Sequence, residues 1–307
     1  MMRKTGFGRL LTALICTFVL MIGSAVASAA EAQSGMDWDT ATVTAEGYGV
    51  APATAYSAAQ ARMMARRAAI VDAYRQLAEQ IKGVNVDATT TVGNMMVTDD
   101  TVTTKVSAFV QGARIISEKA GNDGSYTVTM RVPVYGVTNS LVTAVMPRPE
   151  AREAFPAPTA GVAPSIPSAT LPEVTQQPET STTPIYGHAS SASEAPAGRA
   201  IGGYTGLIVD CRGLGLKPVM SPVIKNEAGS PIYGYKNLDY DLIVKNGMAG
   251  YTRDISQAKR AGTSPLVVRA IGIDGGNPIL STADANRVLI ENGATGFLDT
   301  ASVVFVR

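Results

Sequence analysis

Asp210, Arg212 and Lys217 fall within one short stretch, Asp210-Cys211-Arg212-Gly213-Leu214-Gly215-Leu216-Lys217-Pro218, directly after the apolar run Gly206-Leu207-Ile208-Val209. Polar groups thus gather where a buried strand ends, and two cations beside one carboxylate suit an anionic ligand or a protein partner. The same residues also read as a glycine-allowed turn carrying an Asp–Arg structural pair. A second set, Asp239, Asp241 and Asp254, lies near Tyr235, Tyr240 and Tyr251. Paired carboxylates there would do acid–base work on a glycosidic or similar bond only if their geometry were fixed. The spacing alone does not fix it.

Other chemistries lack their parts. The chain has one histidine, His188, and it lies in a proline-rich stretch. A Ser-His-Asp or Cys-His centre needs its base within hydrogen-bond reach of the nucleophile, and that location does not offer it. A zinc site would need a cysteine cluster or further histidines, and neither is present. There is no P-loop and no G-x-S-x-G elbow. Gly202-Gly203, Gly213-x-Gly215 and Gly275-Gly276 lack the full dinucleotide spacing and read as turns. No catalytic residue, metal or cofactor is expected, and the chain reads as a non-enzyme.

The first thirty residues have the three parts of a secretory signal: Arg3, Lys4 and Arg9, then the apolar Leu10 to Met21, then the small residues Ala25-Val26-Ala27-Ser28-Ala29-Ala30. Cleavage after Ala27, Ala29 or Ala30 would place the mature chain in the periplasm or elsewhere outside the cytoplasm. Cys16 follows the bulky Ile15 inside the apolar run, so it lacks a lipobox and no lipidation is expected there. Cys211 is then the one cysteine of the mature chain and cannot form an internal disulfide; it reads as a small buried hydrophobe. Losing Arg3, Lys4 and Arg9 takes the 26 basic residues to 23 against 25 acidic ones, a net charge of −2. Such a chain lacks the footprint of a nucleic-acid binder. No second apolar run approaches spanning length, so no transmembrane helix is expected after cleavage.

These residues must be positioned by two modules. Ten of the 17 prolines lie between Pro147 and Pro196, among Ala, Ser and Thr. That stretch, 147–201, is too poor in large apolar residues to offset its ordering entropy and reads as a linker. It separates an α+β domain over 38–146 from a C-terminal domain over 202–307. In the first, Thr42 to Val50 alternates as a strand. A helix follows from Thr54, its cap, to Lys82, with Gly83 as its stop. Met63, Ile70, Tyr74, Leu77 and Ile81 are expected to face a sheet, with alanines between them allowing close approach. Arg62, Arg66, Arg67, Arg75 and Lys82 share this helix with Asp72 and Glu79, a solvated mixed-charge face or a surface for an anionic partner. Val84 to Val92 reads as a strand, Asp99 to Val110 as a helix, and Gly112–Ala120 with Ser125–Tyr135 as a hairpin. A helix over Thr138–Met146 closes an order βαβαββα, a long helix covering an antiparallel or mixed sheet.

The C-terminal domain reads as a small mixed α/β sheet domain. Strands are expected over Tyr204–Asp210, Val219–Lys225, Pro231–Tyr235, Leu266–Ile273 and Ala301–Val306. Helices are expected over Asp239–Lys245, Asp254–Ala261 and Thr282–Glu291, the last capped by Thr282 and stopped by Gly293.

The first module resembles the bacterial twenty-kilodalton surface-lipoprotein (Lpp-twenty) family and the N-terminal domain of flagellar assembly protein T, an H-ring component of the flagellar motor. The likeness rests on Ala61-Arg62-x-x-Ala65-Arg66-Arg67-Ala68-Ala69 with Asp72-Ala73-Tyr74 and Leu77, then Gly83-Val84, Gly112-Ala113-Arg114-Ile115-Ile116 and Tyr126-x-Val128-x-Met130-x-Val132-Pro133-Val134. It covers about 40–146. The second module is similar to C-terminal regions attached to such domains in exported proteins, through Tyr204-Thr205-Gly206-Leu207-Ile208-Val209-Asp210 and Gly272. The resemblance implies an envelope protein with a structural, adhesive or assembly role and brings no catalytic residues. Its partners would be envelope or flagellar-apparatus proteins. The other readings are a periplasmic ligand- or carbohydrate-binding protein working through the C-terminal domain, and a hydrolase using carboxylates among Asp239, Asp241 and Asp254.

Overall fold

Gly47 and Gly49 leave a bare strip on one face of the strand Thr42–Val50, and the helix Ala58–Lys82 lies down on it. A Cβ on Gly47 would sit 2.2 Å from the Ala69 carbonyl oxygen and the Ala73 nitrogen; one on Gly49 would sit 2.1 Å from the Ala65 carbonyl oxygen. The helix answers with small residues at four-residue spacing. Ala65, Ala69 and Ala73 are fully buried, and Leu77 and Ile81 continue the stripe where the glycines end. The sequence predicts Met63 on this face; it is instead 67% exposed, because a glycine strip leaves no depth for a long side chain. Ile70 and Tyr74 flank the contact. Ser57, rather than Thr54, caps the helix: its Oγ accepts the Gln60 N–H at 3.1 Å, while Gln60 Oε1 accepts the Tyr56 N–H at 2.8 Å. Gly83 ends it as expected.

The computed structural model describes residues 34–159 and 198–307. The apolar leader, Cys16, His188 and residues 160–197 of the proline-rich stretch lie outside the described residues. In chain order the first half holds β1 (Gly35–Asp37), β2 (Thr42–Val50), α1 (Ala58–Lys82), α2 (Val92–Thr98), α3 (Asp100–Gln111), β3 (Arg114–Ala120), β4 (Ser125–Pro133) and α4 (Leu141–Val145). Its sheet is antiparallel, in the order β1-β2-β4-β3. Val128, Met130 and Val132 of β4 turn inward with Val43 and Ala45 of β2. The predicted strand over Val84–Val92 is absent. Asp87 Oδ1 accepts the Thr89 and Thr90 N–H groups, each at 2.8 Å, and Val86 N donates to Thr90 O at 2.8 Å. This side-chain turn folds the segment back on itself and leaves one isolated bridge, Asn85 with Thr91. Asp99 caps α3, accepting from Thr101 and Val102.

The second half holds β5 (Gly206–Asp210), β6 (Ile224–Asn226), β7 (Pro231–Tyr233), α5 (Tyr240–Asn246), β8 (Gly250–Thr252), β9 (Pro265–Arg269), β10 (Gly272–Asp274), β11 (Asn277–Leu280), α6 (Thr282–Thr295) and β12 (Val303–Val306). One sheet is wholly parallel, in the order β8-β12-β5-β9. The other is mixed, in the order β10-β11-β6-β7. The run Leu266 to Ile273, expected to be one strand, serves both. After Arg269 the Ala270 N–H donates to Asp210 O in the parallel sheet, and the Ile271 N–H donates to Ile279 O in the mixed one. The expected strand Val219–Lys225 is reduced to Ile224–Asn226, because Val219 and Met220 turn to other partners. Asp254–Ala261 is two 3-10 turns, Ile255–Gln257 and Lys259–Ala261, instead of a helix. Helix α6 is capped by Ser281, one residue before Thr282, and runs through Gly293 to a left-handed Gly296.

The described residues, 34–159 and 198–307, belong to one compact unit. The main apolar cluster runs from Val43 and Leu77 through Val134 and Leu141 to Tyr251 and Phe305. Backbone bonds join the halves: Met220 N to Asn85 O at 3.0 Å, Ser221 N to Val86 O at 2.8 Å, and Gly136 N to Val244 O at 2.7 Å. Residues 147–159 lie along the second half. Glu153 N donates to Lys236 O, Phe155 stacks on Tyr233 at 6.3 Å, and Thr159 exchanges hydrogen bonds with the Asn286 side chain.

Candidate functional site

Asp210 ends β5, and its carboxylate folds back on its own turn. It accepts the Arg212 N–H at 3.1 Å and takes Arg212 Nε and Nη2 as a fork at 2.9 and 2.7 Å. These bonds hold Asp210 below the usual carboxylate range and raise Arg212. Gly213 and Gly215 both take left-handed backbone, which lets the chain turn within four residues. Lys217 is exposed and is not ion-paired among the described residues. The structure thus brings Asp210 and Arg212 together as a self-satisfied pair, with Lys217 further along the same loop. Cys211, between them, points inward at 1% exposure, and burial pushes its thiol up to about 12.

The three other carboxylates each have a local partner. Asp239 caps α5 by accepting the Leu242 N–H at 2.9 Å. Asp241 pairs with Arg148. Asp254 accepts Ser256 Oγ at 2.7 Å and Ser256 N at 2.9 Å, which lowers its pKa. The tyrosines near them are also engaged. Tyr235 and Tyr240 donate to the carbonyls of Pro147 and Met146, holding down the start of the proline-rich stretch. Tyr251 is buried, and its hydroxyl donates to Val219 O at 2.9 Å while accepting the Val219 N–H at 3.1 Å.

A concave site lies elsewhere, where the two halves meet. A cavity of about 330 Å³ is lined by Trp38, Asp39 and Tyr135 from the first half and by Tyr251, Lys259 and Arg260 from the second. Trp38 meets Tyr251 edge to face at 5.5 Å, and Tyr251 meets Phe305 at 5.5 Å. Tyr135 donates to Met220 O at 3.4 Å, and burial raises its pKa. Its ring packs on Gly247, where a Cβ would stand 2.6 Å from the ring and where φ is +73°. Arg260 donates to the carbonyls of Ala301 at 2.8 Å, Asn246 at 2.6 Å and Gly247 at 2.5 Å; burial lowers its pKa. Sequence reading missed this site. Trp38, Tyr135 and Arg260 are brought together only by the packing of the two halves, and no spacing in the chain signals it.

Among the described residues, no group of three or more His, Cys, Asp or Glu side chains is placed to hold a metal ion. No helix among them is long and apolar enough to cross a membrane.

Comparison with known proteins divides the chain along the same line. The family model of the LPP20 lipoprotein matches residues 37–132. The model of the second domain of Treponema pallidum Tp0624 matches residues 206–307. The first match covers the helix-on-sheet half through most of β4, in agreement with the resemblance to the twenty-kilodalton lipoproteins. The second begins at the first residue of β5. No curated protein matches the chain.

Proposed function

We propose that this is an exported cell-envelope protein with a non-enzymatic docking role, one that holds other envelope proteins in place. The observation that carries it is the LPP20 lipoprotein match over residues 37–132. The leader's charge and hydropathy pattern supports export. The carboxylates that spacing offers as an acid–base set are each tied to a cap or an ion pair, which favours docking over hydrolysis. In its narrower form the reading places the protein in flagellar or outer-membrane assembly, on the likeness of the α1 region to the flagellar assembly domain.

The test is fractionation of cells producing a C-terminally tagged chain, with N-terminal sequencing of the product. The expected result is envelope-associated protein that has lost its leader. Full-length protein free in the cytosol overturns the reading. A photo-crosslinking residue at the exposed Lys119 of β3 or at Met63 of α1 should then give a discrete adduct, identified by mass spectrometry as an envelope protein. If the flagellar form holds, deleting the gene reduces swimming; normal swimming removes that form alone. The cavity between the halves favours the second reading, a ligand-binding protein.

A further inference from the structure

Arg260 holds a positive charge that no ion pair among the described residues balances. Its three bonds go to the neutral carbonyls of Ala301, Asn246 and Gly247. Carbonyl dipoles fix the guanidinium in orientation but do not cancel its charge. None of the ion pairs formed among the described residues includes it. Three of the five N–H groups of an arginine are used here, so donors remain. A half-buried cation without a counter-charge is a destabilising arrangement unless an anion joins it.

The cavity that Arg260 lines supplies room for that anion. The exposed Asp39 and Lys259 also line it, and neither side chain is ion-paired among the described residues. With one carboxylate against two cations, the lining carries a net formal charge of +1, which suits an anion. Trp38, Tyr135 and Tyr251 supply an aromatic wall. At about 330 Å³ the volume is at the small end for ligand sites, enough for one ring and its substituents. Aromatic faces accept the C–H faces of sugars and the planes of aromatic rings alike.

We infer that the cavity between the two halves binds a small ring-bearing carboxylate, with the carboxylate on Arg260 and the ring against the Trp38–Tyr251 wall. An acidic monosaccharide and a small aromatic acid share that chemistry.

Trp38 is the one tryptophan of the chain, so its fluorescence reports the site without a label. The full mature protein is titrated with glucuronate and with benzoate, and with their neutral counterparts glucose and benzamide, while calorimetry follows the same titrations. A saturable response to one acid, at least about tenfold stronger than to its neutral counterpart, is expected for a carboxylate held on an arginine. Which acid responds identifies the source. Arg260→Gln should abolish binding, but it also frees three carbonyls and can unfold the chain. Lys259→Glu avoids that problem, since the Lys259 side chain makes no hydrogen bond or ion pair among the described residues and its carbonyl, which accepts the Gly262 N–H, is kept; it should weaken the acid by several-fold and leave the circular dichroism unchanged. No saturable fluorescence change and no heat with either acid overturns the inference. So does equal binding of acid and neutral partner, or an unchanged affinity in Lys259→Glu. Any of these results leaves the envelope reading standing, because that reading is decided by fractionation.

Discussion

Single side chains in this protein do their work by holding backbone. Glu291 of α6 is fully buried; its two carboxylate oxygens accept the Ile201 and Gly202 N–H groups at 2.8 Å each, and Arg287 lies 2.9 Å away. The carboxylate therefore anchors the point where the chain comes back from the proline-rich stretch. Glu291→Ala leaves a largely buried Arg287 and two amides without partners, a change that costs about 3–5 kcal/mol. Urea unfolding should show this as a lower midpoint with an unchanged slope; a loss under about 1 kcal/mol refutes the anchor. Cys211 makes a second prediction, this one in pH. Its folded pKa, about 12, lies above the ordinary thiol value of about 8.5, so the native state favours the neutral thiol. Its contribution is complete below about pH 8.5 and is lost as pH rises toward 12. Between about pH 8.5 and 10.5 the stability of the parent should fall more steeply than that of Cys211→Ala. At pH 8 the native thiol should resist an aromatic disulfide reagent until the chain is unfolded. Prompt reaction in the folded state contradicts its burial.

At the scale of elements, α1 and β2 meet through an absence of side chains. Gly47→Ala places a methyl 2.2 Å from two backbone atoms of α1, and backbone cannot rotate away as a side chain can. Overpacking of this kind costs about 3 kcal/mol or more, and the variant should show a lower melting temperature and weaker protection of the α1 amides. Gly35→Ala is the contrasting control for crowding: nothing lies within 4 Å of its added Cβ, so only its left-handed φ of +132° opposes it. The elements that the sequence announced are those whose signal is local. β2 and β4 alternate because one face is buried, α3 begins after Asp99 because that carboxylate reaches the Thr101 and Val102 amides, and the Asp210 turn follows from its own glycines. The elements that stayed hidden depend on distant neighbours. Val84 and Val86 are buried as a strand would bury them, yet Asp87 turns the chain before any ladder can form. The alanine stripe of α1 outranks Met63 only because β2 presents glycines. The cavity was illegible for the same reason, since its walls come from residues as far apart as Trp38 and Arg260.

The whole molecule raises the question of whether its two halves behave as one. Surface ion pairs such as Arg148–Asp241, Arg152–Asp299 and Glu153–Lys236 hold the strap of residues 147–159, and exposed pairs contribute little, about 0–1 kcal/mol each. The coupling must lie instead in buried groups. Tyr135 reaches from the first half onto Gly247 and Met220 of the second, and Met220 and Ser221 donate in turn to Asn85 and Val86. The apolar core is continuous across that junction. Halves that share buried hydrogen bonds and a core unfold together, so calorimetry of the mature protein should show one transition, little moved by 0.5 M salt. Gly247→Val attacks the junction at one position, setting a branched side chain against the Tyr135 ring and at a left-handed φ. If the junction is the coupling, this variant should separate the melt into two transitions, with the Trp38 fluorescence following the first. A parent protein that already melts in two steps would mean that the halves only touch, and that the cavity between them opens without unfolding either.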